Sequence, residues 1–215
     1  MNPASENSSG MDPEEEAWID RALRGDHRAF GCLVERYEAR LFRFVLERLG
    51  NREDAEDVLQ LTFLAAYRQL GRYQRGRRFS TWLFTIAHRR AVDSRRRRVE
   101  PAGDSAEVTA SGSHPAESIQ AKEERGRLWA LARRVLPDRQ HAVLWLRYGE
   151  DMTIAEIATV TGLTRTHVKV LLHRARKTLG GFLDRGEVVL EWAEKPAPDS
   201  GDAPIWLRNT LKETP

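Results

Sequence analysis

The chain has 215 residues, of which 40% are apolar and 31% charged, with a mean hydropathy of −0.58 and a formal net charge of +3. This length supports one or two domains with real cores, and no stretch reaches the roughly 18–20 apolar residues that a membrane-spanning helix needs, which excludes direct membrane insertion. The opening MNPASENSSG has neither the basic nor the apolar part of a secretion leader, and a single cysteine, Cys32, excludes an internal disulfide, so a reducing, cytoplasmic setting is expected.

Residues 1–14 are rich in Ser, Asn, Pro and acids and are expected to be disordered. From 15 to 98 the pattern is helical. Phe30, Leu33, Val34, Tyr37, Leu41, Phe44, Val45 and Leu49 recur at spacings of three and four and make one apolar stripe, ended by Gly50-Asn51. Cys32 lies among these positions and reads as a core thiol. A second stripe, Leu59, Phe63, Ala66, Tyr67 and Leu70, closes at Gly71. Residues 72–78 read as a loop. Ser80 or Thr81 is the expected cap of a third helix that turns Trp82, Leu83, Ile86 and Ala87 inward.

Residues 99–119, beginning VEPAGDSAEVTASGSHPAE, lack periodicity and have the composition of a flexible linker. A second helical domain is expected over 120–185. Leu128, Leu131, Ala132 and Val135 mark a helix that stops before Pro137, and Asp138 is the expected cap of the next, with Ala142, Val143 and Leu146 inside. A short helix, a tight turn and a longer helix follow. The extension 186–215 contains four prolines and the isolated Trp192 and Trp206; the Ile205-Trp206-Leu207 cluster fits a docking segment as well as it fits a disordered end. No strand-like alternation of useful length occurs. The fold class is therefore all-α, with two helical domains joined by a flexible linker.

Charge is unevenly distributed. Residues 72–98 hold ten arginines and one acid, Asp93, while Glu53, Asp54, Glu56 and Asp57 cluster just upstream. Two patches of opposite sign predict two partners, and clustered arginines without interspersed acids favour phosphate. Near the C-terminal end, Thr153-Ile154-Ala155-Glu156 has the form of a capping box. Ile157, Ala158, Gly162, Leu163, Val168 and Leu171 then fall at helix-turn-helix offsets, with Thr164 capping the second helix. That helix carries Val168, Leu172, Ala175 and Leu179 on one face. Thr166, His167, Val170, His173, Arg174 and Lys177 lie opposite, flanked by Lys169 and Arg176, as a major-groove reader requires. Arg174 and Lys177 serve phosphates equally well in this reading. His167 and His173 are not a same-face pair and no acid cluster joins them, so no metal is expected. No cofactor is expected either, since there is no Gly-rich phosphate loop and no nucleophile–base pair.

The runs DAEDVLQLTF at 54–63, FSTWLFTIA at 79–87 continuing into Arg90-Ala91-Val92-Asp93, and LPDRQ at 136–140 through Leu172-His173-Arg174-Ala175-Arg176 together resemble the extracytoplasmic-function sigma factors of the bacterial sigma-70 class. The resemblance covers about 28–98 and 120–183. It implies a region 2 bundle over 15–98 and a region 4 helix-turn-helix over 120–185, binding core RNA polymerase and promoter DNA and catalysing nothing. By resemblance, Asp54, Glu56, Asp57 and Gln60 meet the clamp helices of the largest polymerase subunit. Arg72, Arg78, Arg89, Arg90, Arg95, Arg96 and Arg97 meet the −10 element. Arg165, Thr166, His167, Lys169, Val170, His173, Arg174 and Lys177 meet the −35 element, with the flap of the second-largest subunit as a further region 4 contact. Trp82 reads as core. Family members are commonly held by an anti-sigma factor. Leu61, Arg89 and Val170-Leu171 depart from the family pattern, which has an acid, an asparagine and Ser-Arg at these positions. The competing reading is a stand-alone helix-turn-helix regulator, which leaves the acidic and basic patches of the first domain without a purpose; an enzyme has no constellation to support it.

Overall fold

A computed structural model of the chain describes residues 12–98 and 119–183. Among the described residues every regular element is helical: α1 (Pro13–Leu23), α2 (His27–Leu49), α3 (Arg52–Gln69), a 3-10 turn (Leu70–Arg72), α4 (Phe79–Arg98), α5 (Ile119–Val135), α6 (Asp138–Tyr148), α7 (Ile154–Thr161) and α8 (Arg165–Leu183). They fall into two compact units, one holding α1–α4 with residues 156–164, the other holding α5, α6 and α8.

Local chemistry places most boundaries of the first unit. Asp12 accepts a hydrogen bond from the Glu14 backbone N–H at 3.0 Å and so starts α1. Asp26 accepts from the N–H groups of Arg28 and Ala29 at 2.9 and 3.2 Å and pairs with Arg21 at 2.7 Å, joining the end of α1 to the start of α2. Gly50, at φ 73°, gives α2 the left-handed C-cap that a residue with a Cβ adopts only at a cost. Asn51 then accepts from the Asp54 N–H at 3.1 Å and opens α3.

In this unit α2 packs against α1, α3 and α4, and α3 also packs against α4. The core is the α2 stripe, with Leu33, Tyr37, Leu41, Phe44 and Val45 at 2% exposure or less, met by Ala55, Val58 and Ala66 from α3 and by Phe79, Leu83, Phe84 and Ala87 from α4. Phe44 and Phe84 hold their rings 5.2 Å apart. Glu15 is buried on α1 and accepts a 2.6 Å hydrogen bond from the Tyr37 hydroxyl, which pins the two helices together. Burial and the adjacent carboxylate push the Tyr37 phenol well above its ordinary pKa.

In the second unit α6 packs on α8 and α5 touches both. Leu128, Leu131, Ala132 and Leu136 meet Ala142, Val143, Leu144 and Leu146, while Val168, Leu171, Leu172, Ala175 and Leu179 are buried on α8. Arg147 is buried and donates to the Met152 carbonyl at 2.9 Å, bracing the loop after α6, where Asp151 takes a positive φ of 50°.

Several boundaries and burials differ from the sequence expectation. Pro13 and Glu14 are helical because Asp12 caps them, so the helix enters the stretch expected to be disordered. Gly71 sits inside the 3-10 turn rather than ending α3. The third helix of the stripe pattern, α4, begins at Phe79, so Ser80 and Thr81 are buried in its first turn and do not cap it. Pro137 occupies the cap position of α6 and Asp138 is its first residue. Cys32, Trp82 and Ile86 are half-buried rather than enclosed, and Tyr67 is 38% exposed. The expected linker up to residue 118 and the extension from 184 onward lie outside the described residues.

Candidate protein and nucleic-acid interfaces

Helix α3 turns Ala55, Val58, Leu59, Thr62, Ala65 and Ala66 inward, which leaves Glu53, Glu56, Asp57 and Gln60 exposed along the opposite side. Asp54 is half-buried near the Asn51 cap, where its carboxylate also favours the helix N-terminus. Arg52 pairs with Glu56 at 2.8 Å, but both side chains are mostly in water and such a pair contributes little. The same face carries Leu61 at 42% and Leu64 at 44% exposure. Leu64 was not anticipated from sequence: the apolar positions of α3 read as a single stripe until packing shows which of them α2 and α4 cover. Tyr67, at the end of this face, hydrogen-bonds His27 Nδ1 at 2.6 Å and meets Phe30 edge-on at 5.1 Å.

The arginine surface begins after α3. Arg72, Arg75, Arg77 and Arg78 are exposed, and Arg75 reaches back to Asp20 on α1 at 2.8 Å. Tyr73 is the buried residue of this segment. Its hydroxyl donates to the Arg77 carbonyl and its ring meets Phe79 at 5.4 Å and Trp82 at 5.6 Å, so the arginines are presented from an anchored loop. Burial, with help from Glu15 and Glu16, pushes the Tyr73 phenol up to about 12. Sequence reasoning missed Tyr73 because one aromatic between arginines has no period. On α4, Arg89, Arg95, Arg96 and Arg97 are exposed and Arg90 is half-buried.

His88 lies directly beside these arginines. Its ring is 6.4 Å from that of Phe44, and among the described residues its Nδ1 has no hydrogen-bond partner. Desolvation, then the positive charges of Arg48 and Arg89, lower its pKa to about 4. The ring is therefore neutral at pH 7, and α4 does not add a further cation at this position.

Helix α8 is two-sided. Val168, Leu172, Ala175 and Leu179 are buried, as their spacing predicts, while Arg165, Thr166, His167, Lys169, Val170, His173, Arg174 and Lys177 are all exposed. Arg176 departs from its expected place on the flank: it is half-buried and donates to the Tyr148 hydroxyl at 3.3 Å. Leu171 is buried at 6% exposure. Helix α7 begins directly after Thr153, and Gly162, at φ 71°, supplies the left-handed residue that ends it. Thr164 occupies the position before α8.

The Sigma-70 region 2 family model matches residues 33–100 and the Sigma-70 region 4 model matches residues 132–179. The ECF RNA polymerase sigma factor BldN of Streptomyces coelicolor is 32% identical over 84% of this chain and 69% of its own length. The RNA polymerase sigma factor CarQ of Myxococcus xanthus is 34% identical over 81% of this chain and 99% of its own. The solved structure of CnrH in complex with the cytosolic domain of CnrY superposes with a TM-score of 0.57 at 26% identity, covering 80% of this chain and 98% of that one. The chain belongs to the extracytoplasmic-function group of sigma-70 RNA polymerase sigma factors, the proteins that give core polymerase its promoters.

Proposed function

We propose that this sigma factor docks on the clamp helices of the largest polymerase subunit through the exposed side of α3, with Asp54, Glu56, Asp57 and Gln60 as polar contacts and Leu61 and Leu64 as apolar ones. The arginines Arg72, Arg78, Arg89, Arg90, Arg95, Arg96 and Arg97 engage and help open the −10 element. The exposed side of α8, from Arg165 to Lys177, lies on the −35 element, and region 4 also meets the flap of the second-largest subunit. In this reading residues 15–98 and 120–185 act as separate modules and 99–119 sets the distance between them. The chain does no chemistry of its own; polymerase makes the RNA. It works in the cytoplasm, where polymerase and promoter are. A protein partner of the anti-sigma kind is part of the proposal, supported by CnrH having been solved with the cytosolic domain of CnrY.

The observation that carries the reading is the separation of charge by element. Exposed carboxylates line α3, while exposed arginines line the 72–78 loop and α4, so one helix suits a basic protein surface and the next suits phosphate. The test is capture of core polymerase by the wild-type chain and by the triple variant Asp54→Lys, Glu56→Lys, Asp57→Lys, with helicity of both followed by circular dichroism. Loss of capture with helicity retained supports the docking face; equal capture overturns it. A chain that binds a −35 sequence tightly alone but never binds polymerase would instead be a stand-alone regulator.

A further inference from the structure

We propose that Val170 reads the methyl group of a thymine in the −35 element, an inference that rests on the placement of α8 in DNA given above. The burial of Val168, Leu172, Ala175 and Leu179 fixes which side of α8 faces away from its own domain. At the rotation of about 100° per residue of an α-helix, Val170 falls at the centre of that side. Thr166, His167, His173, Arg174 and Lys177, all exposed, surround it. Val170 is 40% exposed, and no other large apolar side chain described in the second unit is exposed to that degree. A single apolar residue on a surface is ordinary; one at the middle of a basic and hydroxyl-bearing face has a narrower use.

The chemistry of that use follows from what valine lacks. Its two methyl groups neither donate nor accept hydrogen bonds, so it cannot distinguish bases by their polar edges. In the major groove the one apolar feature is the thymine C5 methyl. Val170 is also in the second turn of α8, counting from Arg165, within the N-terminal part of a recognition helix that meets base edges. Its branched Cβ holds one χ1 rotamer in a helix, so the methyl groups are already in position and ordering them on binding costs little. Arg174 and Lys177 are longer and extend past it, which suits phosphate or guanine contact on either side.

The experiment uses holoenzyme assembled from the full chain and core polymerase. Run-off transcription on a promoter library first identifies the −35 element. Each of its thymines is then replaced singly by deoxyuridine, which deletes the methyl group and keeps the base pair, and binding is measured by competition. The wild type is expected to lose about fourfold at one position, the effect of leaving one methyl-sized group unburied. Val170→Ala is expected to bind the thymine and uridine promoters equally, and Val170→Ile to keep the wild-type preference. The exposed position of Val170 keeps all three chains folded, and thermal melts check this. A −35 element whose thymines can all be replaced without loss, or a Val170→Ala chain that retains the wild-type preference, overturns this assignment and leaves the −35 role of α8 standing. Insensitivity of the wild type to any −35 mutation would overturn the placement of α8 itself, and the assignment with it.

Discussion

Lowering the pH from 7.5 to 5.0 should destabilise α4 through His88. The ring is half-buried against Phe44, its Nδ1 is unsatisfied among the described residues, and its pKa is held at about 4 against an ordinary 6.5 by desolvation and by Arg48 and Arg89. Because the folded pKa is depressed, the unfolded chain binds the proton more readily. The stabilising contribution is complete above pH 6.5, declines as the pH falls from 6.5 toward 4, and is constant below that. At pH 5.0 the unfolded ring gains about 30-fold from protonation and the folded ring almost nothing, a difference of about 2 kcal/mol, an upper value because some water reaches the ring. The assay is urea unfolding of the full chain at both pH values, followed through the NMR signals of α4 amides, for wild type and His88→Leu. Leucine fills similar space and cannot titrate, while the carboxylates common to both chains cancel in the comparison. Wild type should lose up to about 2 kcal/mol more than the variant between the two pH values. Equal losses, or an His88 imidazole that titrates near 6.5 in the folded chain, would refute the reasoning.

Two further outcomes follow from packing and charge. Phe44→Ala removes a ring that is 1% exposed and packed on Phe84, and should cost the first unit about 3–5 kcal/mol, read from the same α4 amides in urea. Arg174→Ala should weaken −35 binding and reduce the slope of log affinity against log salt by about one if the guanidinium neutralises a phosphate; an unchanged slope would leave it a base contact or no contact.

The elements that could be read from sequence are those whose causes are local. Gly50 ends α2 and Asn51 opens α3 within two residues of one another, because a left-handed cap and an Asx acceptor act on the nearest backbone groups. The buried face of α8 was equally readable, since Val168, Leu172, Ala175 and Leu179 repeat with the helical period and no neighbour overrides them. Ser80 and Thr81 misled for a related reason: they are good caps by type, but Phe79 is drawn into the core beside Tyr37 and Tyr73, and α4 starts there, ahead of both candidate caps. Asp138 was displaced from its expected cap position by Pro137, whose carbonyl accepts from the Gln140 and His141 N–H groups at 2.8 and 3.0 Å and so opens α6.

Periodicity and composition alone determined the all-α class and the sign of each charged face, and short motif runs carried the resemblance to the family, because all of these are written in residues close together along the chain. Tertiary structure decided what depends on partners far apart in sequence. Glu15 is buried because Tyr37 and Arg36 on the next helix meet its two carboxylate oxygens, His88 stays neutral because α2 brings Phe44 and Arg48 to it, and Leu61 and Leu64 are exposed because α2 and α4 cover the other side of α3. An apolar or titratable residue has the same type wherever it stands; only the elements packed against it settle whether it meets a core, a charge or water.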